Sequence, residues 1–173
     1  MTYFDIKNDY VDWLKSTKVT FDLAICLHAP NHLKAVEHGF DEDWLRRKLT
    51  HYFNVLDRKL FKLDHKKRGK RMQRFVVLGH TDTVGWHAHI CVATPERISQ
   101  KKLIALMHLL WLKHMHINST ANTKFKRKLF WAEEINAGYV KYSNDNANDL
   151  SSIKFGHAHT VDKGTVDILN CHF

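Results

Sequence analysis

Between Val19 and Ile135 the hydrophobic period of the chain changes in a set order, and that order amounts to a topology. Val19 to His28 is β-branched and apolar and ends at Ala29-Pro30, the pattern of a central strand. Phe40 to Phe61 then places Phe40, Trp44, Leu49, Tyr52, Phe53, Leu56 and Leu60 on a stripe of helical period. Asp41 and Asp43 fall in its first turn, where carboxylates complement the helix dipole. Asp64 to Arg74 is read as a basic loop and Phe75 to Leu78 as a second strand. A turn from Thr81 to Gly85 leads into a third strand, Trp86 to Thr94, stopped by Pro95, so the two strands form a hairpin. Ser99 is placed to cap a helix running to about Met115, with Leu103, Leu106, Met107 and Leu110 facing inward. Lys128 to Ile135 is a fourth strand, and Gly138 to Asn144 a short helix.

Strand, helix, hairpin, helix, strand is β-α-β-β-α-β, the split β-α-β order of ferredoxin-like α+β folds. Helices then cover one face of an antiparallel sheet and leave the other face free for chemistry. Two prolines, seven glycines and the absence of any repeat or low-complexity linker make residues 1–173 one expected domain. With 44% hydrophobic residues it has enough apolar material for a core. No apolar run approaches the roughly 20 residues that cross a bilayer, and no signal-peptide core opens the chain, so a cytoplasmic protein without membrane contact is expected. Cys26, Cys91 and Cys171 are an odd count without ligand spacing and are read as reduced thiols.

The formal charge is +9, concentrated in Lys66, Lys67, Arg68, Lys70, Arg71 and Arg74 and again in Lys124, Lys126, Arg127 and Lys128. Such clusters call for a polyanionic partner. Fourteen histidines are unusual; His108, His114 and His116 fall in the second helix and are expected on its surface.

Two histidines stand apart from that background. His87 and His89, two apart on the third strand, leave the same face, while Ala88, Ile90 and Val92 leave the other. Neutral imidazoles so placed suit Mn²⁺ or Zn²⁺. A bare His-x-His pair is more often two solvated side chains, but His80 ends the preceding strand, where hairpin pairing would bring it alongside as a third ligand. Asp82, in the same turn, is a lesser candidate. Three protein ligands would leave positions for water or phosphate oxygen. Downstream, Tyr139 and Tyr142 are three apart and share a helix face. A phenol, with pKa near 10, is eased toward phenolate beside a cation and then attacks phosphorus; a lone tyrosine more often simply packs.

Trp86-His87-Ala88-His89-Ile90 followed by Gly138-Tyr139-Val140-Lys141-Tyr142 resembles the HUH endonuclease superfamily, in particular small rolling-circle replication initiators of filamentous phages and mobile elements. The similarity spans about residues 19 to 145. It implies a nickase that cuts single-stranded or hairpin DNA with a divalent ion, Mn or Mg, and keeps the 5′ end as a phosphotyrosine. It makes His87 and His89 metal ligands and puts His80 where many members have a glutamate, a change that favours Mn²⁺ over Mg²⁺. It makes Tyr142 the nucleophile, with Tyr139 a competitor. Many members carry a lysine three residues after that tyrosine; Asp145 stands here, and Lys141 is the substitute.

In that setting the two basic clusters would grip phosphates, and Trp86, Phe130 and Trp131 are candidates for stacking on unpaired bases. Glu133 and Glu134 are alternative metal contacts. The second His-Ala-His triplet, His157 to His159, lacks an apolar strand around it and is read as a polar loop. A basic nucleic-acid-binding module without catalysis, and a transposase of the same chemistry, stay open beside the nickase.

Overall fold

Asp41 starts the first helix as the sequence predicts: its Oδ1 accepts the Trp44 N–H at 2.7 Å, a cap that contributes about 1 kcal/mol. The computed structural model describes residues 19–29, 41–81, 85–117, 129–135, 165–166, 170 and 172. Their elements are β1 (Leu23–His28), α1 (Glu42–Phe61), α2 (Leu63–Arg68), β2 (Arg74–Thr81), β3 (Gly85–Val92), α3 (Gln100–His114), β4 (Phe130–Glu134) and β5 (Thr165–Val166). The chain is α+β. Its sheet runs β4-β1-β3-β2-β5 with antiparallel neighbours throughout, an arrangement compatible with a ferredoxin-like fold. The two-residue β5 has no counterpart in the sequence reading. Among the described residues no helix is long and apolar enough to cross a membrane.

Register decides which side chains meet. Leu23, Ile25 and Leu27 of β1 lie across from Val92, Ile90 and Ala88 of β3, and Val76 and Leu78 of β2 lie across from Ile90 and Ala88. These residues share one face and are almost fully buried with Leu45, Leu49, Leu56, Leu103 and Met107 of α1 and α3. Tyr52 Oη donates to Met107 O at 3.0 Å, locking α1 onto α3. Trp111 packs edge-on against Tyr52 and donates through Nε1 to His28 O at 3.0 Å, tying α3 to the end of β1.

The basic stretch after α1 is not a loop throughout. Residues 63–68 form α2, with Asp64 in its first turn and Lys66, Lys67 and Arg68 in its last, charges that suit the helix dipole. Gly69 ends it at φ +65°; a side chain there would meet open space, so the left-handed backbone alone favours glycine. Gly69 N–H donates to His65 O and Lys70 N–H to Asp64 O, satisfying the last carbonyls.

Arg74, grouped by sequence with the phosphate-gripping residues, is instead a core residue. It opens β2 on the helix-covered face, 1% exposed, and its Nη1 reaches Asp57 Oδ1 at 3.1 Å and Oδ2 at 3.0 Å. Nε donates to Asn170 O at 2.9 Å, and the guanidinium lies 4.1 Å from the Phe53 ring centroid. A side chain so engaged does not reach DNA.

Candidate functional site

The other sheet face carries the histidines. His87 and His89 point away from the helices on β3, as strand alternation requires, with ring centroids 4.8 Å apart and planes at 83°. Register adds two residues that the sequence reading did not assign to the site. His28 lies across from His87 and Cys26 across from His89. The His28 and His87 rings are stacked, 5.3 Å apart and 13° from parallel, and Cys26 Sγ lies 3.0 Å from His28 Nε2. The four form a two-by-two tile.

His87 Nδ1 is 2.9 Å from Gly85 O. A carbonyl only accepts, so Nδ1 is the donor here and Nε2 is the nitrogen that would face a metal, the arrangement usual in metal-binding histidines. His87 is 1% and His89 5% exposed, and Phe75 and Val77 on the same face are also buried. That face is therefore not open, contrary to the expectation from helix placement. Burial pushes the Cys26 thiol up to about 12, so it stays protonated near neutrality.

His80 does not join this group. It pairs with Trp86, while Gly79 takes the position across from His87. A one-residue offset in a strand reverses the face, so His80 stands exposed beside Trp86, with ring centroids 5.0 Å apart. Among the described residues no three His, Cys, Asp or Glu side chains are arranged to hold a metal ion together. His87 and His89 share one face of β3, and the Nδ1 contact of His87 turns its Nε2 the way a metal ligand's would point. Tyr139, Lys141, Tyr142, Lys124, Lys126, Arg127, Lys128, Asp82, His157 and His159 lie outside the described residues.

The remaining candidates separate by burial. Phe130 is 6% exposed and stacked on His108 at 4.9 Å, so its ring is committed to the fold. Trp86 packs partly buried on the core face. Trp131 is half-buried, across from Cys26 on the histidine face. Glu133 and Glu134 are exposed. His108 and His114 are half-buried rather than on the surface, and His114 stacks on His51 at 4.9 Å; only His116 of the three is exposed. Lys66, Lys67, Arg68 and Lys70 are exposed, whereas Arg71 is half-buried and donates from Nη1 to Asn54 Oδ1 at 2.9 Å.

Comparison of the chain with protein-family models, with curated proteins and with solved structures found no match.

Proposed function

We propose that the chain is a metal-dependent DNA nickase of the HUH type that uses a tyrosine nucleophile. One observation carries the reading: His87 and His89 stand side by side on the same face of β3, with His87 anchored through Nδ1 so that Nε2 faces outward from its bond. The strand order supports it, because β1 and β2 flank β3 with α1 between them in the chain, as a split β-α-β unit requires. His87 and His89 would hold a divalent ion, Mn or Mg, which when bound polarises the non-bridging oxygens of one phosphate.

In this reading Tyr142 Oη attacks that phosphorus in line. The bond to the 3′ oxygen breaks, a 3′-hydroxyl leaves with a proton, and a 5′-phosphotyrosine remains. Lys141 offsets charge on the phosphate. The ester conserves the energy of the broken bond, so a returning 3′-hydroxyl reverses the step. Initiation of rolling-circle replication and nicking of another genome both fit this chemistry.

The test is a covalent adduct. The protein is incubated with end-labelled single-stranded DNA from its own genome and Mn²⁺, and adducts are resolved on a denaturing gel. Adduct should form, map to Tyr142 by mass spectrometry, vanish in Tyr142→Phe and fall sharply in His87→Ala and His89→Ala. Attachment solely at Tyr139 would reverse the assignment of nucleophile, and adducts from both histidine variants at the wild-type level would remove the metal pair.

The burial of His87 and His89 favours a second reading, a basic nucleic-acid-binding module without catalysis. It predicts binding with neither adduct nor metal dependence.

A further inference from the structure

The exposed cations of the α2 region sit at the end of the sheet away from the histidine tile. β3 begins next to His87 and ends at Val92, which pairs with Arg74 at the start of β2, just after α2. Arg97, beyond that end of β3, reaches Asp64 of α2 at 3.4 Å and lies over the Phe61 ring at 5.2 Å. The α2 corner therefore belongs to the Val92 end. The five steps from His87 to Val92 span about 17 Å along the strand and the three from His89 about 10 Å, so a phosphate at the histidines and one at α2 are different phosphates.

The corner presents Lys62, Lys66, Lys67, Arg68 and Lys70, all exposed, while Arg71 and Arg74 are held by Asp57 and Arg97 by Asp64. Its aromatic ring is Phe61, 4% exposed and covered by Lys70 at 5.6 Å and Arg97 at 5.2 Å. Binding of unpaired strands depends on exposed rings on which bases stack. A cationic corner whose ring is covered has backbone contacts to offer instead. A duplex supplies the densest array of them, one charge per about 1.7 Å of axis.

We infer that α2, with Lys62 and Lys70 at its two ends, is a clamp for the backbone of double-stranded DNA, separate from the site that handles the cut strand. The choice of DNA rests on the nickase reading; the preference for duplex rests on the corner itself. It implies a substrate with a paired stem beside the unpaired region that is cut.

Fluorescence anisotropy on the full chain tests this, with a blunt duplex and a single strand of the same sequence as probes across a salt series. The variant carries Lys62→Gln, Lys66→Gln, Lys67→Gln, Arg68→Gln and Lys70→Gln; a control carries arginine at the four lysines. For duplex, the log-log salt slope should become shallower by about 0.9 for each phosphate no longer neutralised, up to about 4.5. The control should keep the wild-type slope, and the single strand should change much less. An unchanged duplex slope in the glutamine variant, given an unchanged circular dichroism spectrum, overturns the clamp. So does an equal weakening on both probes. Adduct formation by the wild-type protein is scored separately: its absence with duplex binding intact sinks the nickase and leaves the clamp standing.

Discussion

The ring of His28 lies stacked on that of His87, directly across the β1–β3 pair, with centroids 5.3 Å apart and planes 13° from parallel. His28 is itself held on two sides, by Cys26 Sγ at its Nε2 and by Trp111 Nε1 at its backbone carbonyl. His87 is thus fixed by Gly85 O at Nδ1 and by His28 along one ring face, which leaves it little freedom to turn Nε2 elsewhere.

That makes His28 a positioning residue for the proposed reaction. In His28→Ala the Mn²⁺ concentration giving half-maximal adduct should rise about 10- to 100-fold, the usual effect of removing a group that orients a ligand. His28→Phe restores a stacking ring without the contact to Cys26 and should recover most of the affinity for Mn²⁺. If the alanine variant keeps the wild-type Mn²⁺ dependence, or if phenylalanine rescues nothing, the stack has no part in placing His87.

The buried pair Arg74–Asp57 gives a prediction about folding rather than DNA. Both side chains are inaccessible, 1% and 0% exposed, and Asp57 Oδ1 also accepts the Met72 N–H at 2.9 Å. Arg74→Met would leave the buried Asp57 carboxylate only the longer ion pair with Arg71 at 3.8 Å, at a cost of up to about 3–5 kcal/mol. Urea unfolding should show that destabilisation, while the folded fraction keeps its affinity for duplex. A variant of wild-type stability with weakened binding would return Arg74 to the DNA surface.

What the sequence made legible was local. The alternation of His87 and His89 against Ala88, Ile90 and Val92 is a two-residue period, and it placed the pair on one face without knowledge of any neighbour. Asp41 as a cap and the α1 stripe are equally local. His28 and His80 exchanged roles because that depends on register, which strand pairing sets across distant segments of chain. Arg74 was misread because the basic run outweighed the alternation Arg74, Val76, Leu78, which put it on the buried face. α2 is six residues long, too short for an apolar stripe, yet Asp64, the basic last turn and Gly69 already spelled a helix with a glycine stop.

Acid should destabilise the fold through His114. Burial first, then the charges of Lys48 and His51, lower its pKa from the ordinary 6.5 to about 4, against the raising effect of a hydrogen bond to the Lys48 backbone. The folded protein thus keeps this ring neutral where the unfolded chain protonates it. Between about pH 6.5 and about pH 4 the unfolded state binds the extra proton, so stability falls as pH falls and levels off below the folded value. His172 acts in the same direction: burial, Arg74 and Arg71 lower it to about 4 despite Asp57. Urea midpoints near pH 7.5 and near pH 5 should therefore differ, with the protein weaker in acid. His114→Asn removes one such ring and should shrink the difference. A variant that loses stability in acid as steeply as the wild type would show that the His51–His114 stack admits a proton without cost.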